Sequence, residues 1–132
     1  YIMSSIFSKI INKEIPSYEI CETEDFLAFL DISPLEIGHV LVVPKNEIDY
    51  IFDLESDEYL NLWMFARRIA KSMNKVLDCK RIGIAVVGFE VPHTHIHLVP
   101  INDIGDIDFS KERKLVSQEE MEKVASLIKN SV

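Results

Sequence analysis

A chain of 132 residues with 22 acidic and 14 basic side chains carries a formal net charge of −8, and such an acidic surface excludes a binder of nucleic acid polymers that works by releasing counterions. Nearly half the residues, 48%, are hydrophobic, enough to bury a core without staples. Cys21 and Cys79 lie far apart with no CxxC spacing, which excludes a zinc ribbon or a thioredoxin-like motif and leaves two buried free thiols as the expectation.

No stretch approaches the ~20 apolar residues that a bilayer span needs. The first apolar segment is interrupted by Ser8 and Lys9 and has no cleavage pattern, so a cytoplasmic protein without a membrane partner is expected. Tyr1 and Ile2 precede Met3, which reads as the natural start. The basic runs Arg67–Arg68 and Lys111–Lys114 are short and interrupted and read as solvated faces. With no repeat, low-complexity tract or Gly/Ser linker, residues 1–132 are expected to form one domain.

In chain order, Ile6–Asn12 reads as a short helical turn closed off by Pro16. Tyr18–Glu22 and Phe26–Leu30 read as two strands joined by a turn at Thr23-Glu24-Asp25. Gly38–Val43 is a third, strongly apolar strand between Pro34 and Pro44. From Ser56 to Leu77 the apolar period changes to helical spacing, with Ser56 as the N-cap and Asp57 and Glu58 favourable at the helix's positive end. Leu60, Met64 and Phe65 widen that stripe, which suits either a broad core face or a second buried surface. Ile82–Val87 is a fourth strand with almost no polar residue, so both its faces are expected to be covered. A loop from Gly88 to Pro92 leads to a fifth strand, Thr94–Val99, ended by Pro100. Ser117-Gln118-Glu119-Glu120 has the capping-box pattern and opens a last helix through Ile128. Strands outnumber helices and several connections are too short for parallel crossovers, so the order predicts an α+β fold with a mainly antiparallel five-stranded sheet and two main helices.

Three of the four histidines fall in His93-Thr94-His95-Ile96-His97-Leu98-Val99. On a strand, alternate side chains share a face, so the imidazoles would line one side at roughly 7 Å intervals while Thr94, Ile96 and Leu98 face the core. Such a row has three readings: a solvent-facing strand, a metal site, or an imidazole nucleophile whose neighbours fix its tautomer and hold a phosphate. A metal would require further ligands from His39, Cys21, Cys79 or Glu90, and no spacing singles one out.

The histidine stretch resembles the H-φ-H-φ-H-φ-φ signature of the histidine-triad (HIT) superfamily, with Thr94 a departure at the first φ. Ile6-Phe7-Ser8-Lys9-Ile10-Ile11-Asn12-Lys13-Glu14-Ile15-Pro16 is similar to that family's opening segment. Ala28-Phe29-Leu30-Asp31-Ile32-Ser33-Pro34, followed by Gly38-His39-Val40-Leu41-Val42-Val43-Pro44-Lys45, resembles its central block. Together these motifs span about residues 6–100. The resemblance implies a HIT-like fold and a nucleotide hydrolase or nucleoside phosphoramidase without metal or cofactor. It acts on a small purine nucleotide of AMP or GMP type through a nucleotidyl-histidine, and is expected as a homodimer.

By the same resemblance His95 is the nucleophile. His93 orients it through its backbone carbonyl and helps at the phosphate, and His97 and His39 donate to phosphate oxygens. An imidazole suits the attack because it is mostly neutral near pH 7. Asp31 would accept from the ribose, and Ile32, Phe7, Ile10 and Phe29 would form the base slot. Hydrolysis rather than nucleotidyl transfer is implied by His97, where the transferase branch has Gln. Dinucleoside polyphosphate hydrolysis and a nucleotide-binding regulatory role with little turnover are the alternatives.

One segment departs from the pattern. Family members carry an Asn on the strand before the triad and then a Gly-Gln-Ser/Thr loop, whereas this chain has Ala85-Val86-Val87-Gly88-Phe89-Glu90-Val91-Pro92. Glu90 takes the place of the hydroxyl that would assist the leaving group, where it would either repel a phosphate or recognise an amine. The added Cys and His of zinc-holding family members are missing from the N-terminal segment.

Overall fold

The structure, a computed structural model, describes residues 4–132; Met3 and the reading of it as the start lie outside them. Among the described residues α1 spans Ile6–Ile11, α2 Ser56–Val76 and α3 Gln118–Lys129. The strands are β1 Glu19–Glu22, β2 Phe26–Leu30, β3 Val40–Pro44, β4 Arg81–Ala85 and β5 Ile96–Ile101. All neighbouring strands are antiparallel, in the order β1-β2-β3-β5-β4. This is the α+β architecture that the order of elements predicts.

The sheet has two differently covered faces. On one, Ala28 and Leu30 of β2, Val40 and Val42 of β3, and Ile96 and Leu98 of β5 join Leu62, Phe65, Ala66, Ile69 and Met73 of α2 and Met121, Val124, Ala125 and Ile128 of α3 in the main core. Each of the Val, Leu, Ile, Phe and Met side chains among them stabilises the fold by roughly 1.5–3 kcal/mol relative to exposure. On the other face α1 sets Phe7 and Ile10 against Leu27, Phe29, Leu41 and Val43 in a smaller cluster. Covering on both sides explains why every residue of β2 and β3 is buried and why these strands read as continuous apolar runs.

The helix ends differ in how they are closed. Ser117 caps α3, accepting from the Glu120 N–H at 3.1 Å. Ser5 caps α1, accepting from the Ser8 N–H at 3.0 Å. At α2 the expected cap is displaced: Glu55 holds the N-cap position, no side chain bonds there, and Ser56 is the first helical residue. Leu60 and Met64 remain well exposed, while Phe65 turns inward and stacks on Phe26 at 5.5 Å. The wide stripe therefore serves the core only in part.

Three expectations are corrected. Strand β4 is shorter than expected and half exposed, because it is the outer strand of the sheet and its residues have a neighbour on one side only. Strand β5 starts later and runs through Pro100 to Ile101. The pairing of β3 with β5 ends at Leu98, so Pro100 lies where that neighbour needs no N–H from it. The two cysteines are free but only half-buried.

Gly38, just before β3, has φ +99°, and a Cβ there would lie 2.9 Å from Leu77 Cδ1. That left-handed turn and close approach set the direction in which His39 enters the sheet. No helix among the described residues is long and apolar enough to cross a membrane.

Candidate active site

The histidines project from the sheet face opposite the main core. Leu41 of β3 pairs with His97 of β5, so His39, Leu41 and His97 share the α1 side of the sheet. His93 and His95 precede β5 in irregular backbone. The triad is thus only partly a strand row, and the His95 and His97 rings stand 4.9 Å apart, closer than flat pleat spacing gives. Thr94 anchors this backbone: its N–H and its hydroxyl both donate to the Ile48 carbonyl, at 2.7 Å and 2.6 Å.

Hydrogen-bond partners fix the tautomers, since a carbonyl can only accept and a backbone N–H can only donate. His95 Nδ1 lies 2.7 Å from the His93 carbonyl, so Nδ1 carries a proton and, in the neutral ring, Nε2 holds the lone pair. His93 Nε2 lies 2.7 Å from the Pro44 carbonyl and therefore donates there. His93 Nδ1 then accepts from the Ser5 hydroxyl at 2.7 Å. Both ring nitrogens of His93 are engaged, so the ring has no donor left for a phosphate; what it offers the site is its carbonyl.

A second relay runs through His39. The Leu35 N–H donates to His39 Nδ1 at 3.0 Å, which places the proton on Nε2. His39 Nε2 donates in turn to His97 Nδ1 at 2.9 Å, so His39 has no N–H left for the phosphate oxygen expected of it, and His97 Nε2 is the free N–H donor. Burial, with His97 and Arg113 adding to it, pushes the His39 imidazole down to about 3. Burial, then His95, does the same to His97, also to about 3. Burial lowers His93 as well. His39 and Asp31 Oδ2 lie 3.8 Å apart, but a neutral imidazole makes that a dipolar contact, not an ion pair.

The folded His39 and His97 take up protons less readily than an unfolded imidazole, whose ordinary value is 6.5. Their joint contribution to stability is whole above about pH 6.5 and is lost as the pH falls toward 3. Asp31, raised chiefly by burial, works the other way and offsets part of the loss. Urea unfolding at pH 7, 5.5 and 4.5 should show a midpoint that falls steeply with acid; a flat profile would contradict the neutral pair.

Asp31, His39 and His97 bring one ligand atom each within 4.8 Å of one another, a spacing that would admit a cation. The tautomers argue against one. With Leu35 N–H on its Nδ1, His39 has no free lone pair at Nε2 unless it becomes an imidazolate.

Beside the triad, Phe7, Ile10, Phe29, Asp31 and Ile32 line one cavity of about 130 Å³ together with Ile15. Ile32 stands at its rim, well exposed. Phe7 joins this slot to the histidines, its ring edge-on to His95 at 5.0 Å and to Phe29 at 5.7 Å. Asp31 also accepts from the Ser33 N–H at 2.9 Å, the turn-forming role open to an Asp before Ser-Pro. On another side of His95 lies a cavity of about 490 Å³ lined by Tyr50, Phe52, Trp63, Val86 and Phe89. The buried Trp63 Nε1 has no partner among the described residues.

Comparison with known proteins decides the family. The family model described as HIT domain matches residues 12–104. The chain belongs to the HIT family. Among its HIT relatives, an adenosine 5′-monophosphoramidase of Saccharomyces cerevisiae is 38% identical over 74% of this chain and 63% of its own length. A bis(5′-adenosyl)-triphosphatase of Dictyostelium discoideum is 34% identical over 79% of this chain and 78% of its own. A crystal structure of a HIT-like protein from Bartonella henselae, described as involved in cell-cycle regulation and holding an unknown ligand, superposes with a TM-score of 0.84 at 28% identity. It covers 100% of this chain and 99% of that one.

Against the HIT pattern, the four histidines gather as one cluster with the slot beside them. Glu90 does not stand alone on its loop. Arg113 donates to it at 3.2 Å, so the carboxylate that replaces the expected hydroxyl has a partner from outside the motif. Sequence reasoning placed Arg113 in a solvated basic run, and the structure corrects this: its side chain is mostly covered, 23% exposed, and its guanidinium lies at the site. Ser5 and Phe109 were likewise missed. A Ser just ahead of the first helix carried a signal for a cap but none for a histidine 88 residues away.

Proposed function

We propose that this HIT protein is a nucleotide hydrolase or nucleoside phosphoramidase acting at the α-phosphate of a purine nucleotide, with His95 as the nucleophile. The observation that carries the reading is the tautomer of His95: its Nδ1 donates to the His93 carbonyl, so in the neutral ring the lone pair is on Nε2, and Phe7 links that ring to the apolar slot. Relatives named as an adenosine 5′-monophosphoramidase and a bis(5′-adenosyl)-triphosphatase support the substrate class.

In the first step His95 Nε2 attacks the α-phosphorus. A P–N bond forms, the bond to the leaving group breaks with its electron pair, and that group leaves as an amine or phosphate after taking a proton from water. In the second step water attacks the same phosphorus. The P–N bond breaks, its pair returns to Nε2, and a nucleoside monophosphate and a proton are released. The free His97 Nε2–H would donate to a phosphate oxygen as charge builds, with His39 holding that tautomer. Asp31 would accept from the ribose, and Phe7, Ile10, Phe29 and Ile32 would enclose the base.

Hydrolysis of adenosine 5′-phosphoramidate by the purified protein tests the reading, and absence of turnover on it and on diadenosine triphosphate would defeat it. The second reading, a binding protein with little turnover, draws on the loop Ala85–Pro92, which carries no hydroxyl or amide side chain to donate a hydrogen bond to a leaving group. Tight monophosphate binding without turnover would favour it.

We also propose that a second copy of the chain covers the exposed row Phe52, Leu60, Met64 and Val86, which adjoins the apolar cavity and the orphan Trp63 donor. Size-exclusion chromatography with light scattering should give twice the 15.2 kDa chain mass; a monomer would refute it.

A further inference from the structure

Outside the motifs, one charged group reaches the site from a distant segment. After β5 the chain turns back across the histidine face before α3 begins. Four contacts fix this strap. The Phe109 ring packs edge-on to His97 at 4.7 Å. Lys111 pairs with Glu36. The Lys114 N–H donates to the Pro34 carbonyl at 2.9 Å. Arg113 Nη1 donates to the Ser33 carbonyl at 2.7 Å. The guanidinium lies over Phe109, 5.7 Å from the ring centre, and 3.5 Å from Asp31 Oδ2. Arg113 is therefore a preorganised cation between the candidate ribose carboxylate and the loop that carries Glu90.

The electrostatics of the site give this cation a task. His39 and His97 are held neutral, so neither brings a positive charge to a bound phosphate. Arg113 is the cation whose field reaches both of them. A guanidinium has five N–H donors in a planar fork suited to a phosphate edge. Here Ser33 takes one and Glu90 another. Glu90 is the replaceable partner: its side chain is 65% exposed and holds Arg113 by a single contact of 3.2 Å, the kind of surface pair that contributes little.

We propose that Arg113 is a specificity-determining residue that binds the phosphate next to the α-phosphate of a nucleotide, with Glu90 holding its place until that phosphate arrives. The inference rests on the nucleotide reading of the site and narrows it: the preferred leaving group carries phosphate, as in a nucleoside polyphosphate, rather than being a neutral amine. The α-phosphate alone falls to His97 and the backbone around it; the added charge of a second phosphate is what repays displacing Glu90.

The test uses binding, so that it does not depend on turnover. Calorimetric titration of the full chain with ADP and with AMP compares affinities for a nucleoside di- and monophosphate. Wild type should favour ADP by about 10-fold or more, the worth of a charge-assisted hydrogen bond. Arg113→Gln should erase most of that ratio, and Glu90→Gln, which removes the competitor, should raise it. Equal affinity of wild type for ADP and AMP, or a ratio unchanged in Arg113→Gln, would overturn the inference. AMP binding by the same variant shows that it is folded. The hydrolysis assay is scored separately: a chain that binds ADP through Arg113 but turns over nothing sinks the hydrolase reading, and with it the leaving-group preference, and leaves the binding role of Arg113 standing.

Discussion

Replacing His95 by Ala should abolish hydrolysis of adenosine 5′-phosphoramidate, lowering kcat by on the order of a thousandfold or more, about 4 kcal/mol of barrier. The expectation follows from the lone pair. His95 is the histidine whose outward nitrogen is unpartnered and, in the neutral ring, carries the lone pair: His93 engages both ring nitrogens with Ser5 and Pro44, His39 with Leu35 and His97, and His97 keeps a proton on its outer nitrogen. Nucleotide affinity should change far less, because the slot is lined by Phe7, Ile10, Phe29 and Asp31 and not by His95. A stronger form uses His95→Gly with added imidazole, since a small cavity beside the His93 carbonyl can seat a free ring in the same tautomer. Partial rescue by imidazole would tie the loss to the missing nucleophile. Full activity in His95→Ala would end the covalent mechanism outright, whatever happens to binding.

The part of this site that could be read in the sequence is the part encoded locally. Alternation in His95-Ile96-His97-Leu98 separates a core-facing set from a site-facing set, and Ile96 and Leu98 do enter the main core. Helical spacing from Tyr59 to Met73 marks α2, and the apolar runs of β2 and β3 mark strands with both faces covered. The same logic misjudges β4. An apolar composition says that a strand prefers burial but not whether a neighbour exists to provide it, and β4 lies at the edge of the sheet.

The tautomers were not legible at all. They depend on Leu35 N–H, on the carbonyls of His93 and Pro44, and on the Ser5 hydroxyl, groups that look alike in any sequence until the chain brings them within 3 Å. Glu90 illustrates the same limit from the other side. Read alone it is a charge that repels phosphate; paired with Arg113, 23 residues later, it becomes a partner that can be displaced.

The second large effect is expected at His39, which touches no substrate in the proposed mechanism and acts through His97. In His39→Leu the Leu35 N–H loses its acceptor and His97 Nδ1 its donor, both in a fully buried setting. Unpaired groups of this kind cost roughly 1–3 kcal/mol each, so the chain should lose about 2–6 kcal/mol of stability by urea unfolding. The catalytic loss has a separate origin. Without His39 above it, the His97 proton is free to sit on Nδ1, and each such molecule presents a lone pair to the phosphate where a donor is needed; kcat should fall by roughly 10²-fold, as for one oxyanion donor, with KM less affected. His39→Gln distinguishes this from simple damage to the fold, because a Gln side chain can accept from Leu35 through its oxygen and donate to His97 through its nitrogen. Gln should therefore recover most of the kcat that Leu loses. If Gln were as poor as Leu while folding normally, the relay would not be what holds His97, and the neutral donor at the phosphate would have to be sought elsewhere among the groups facing His95.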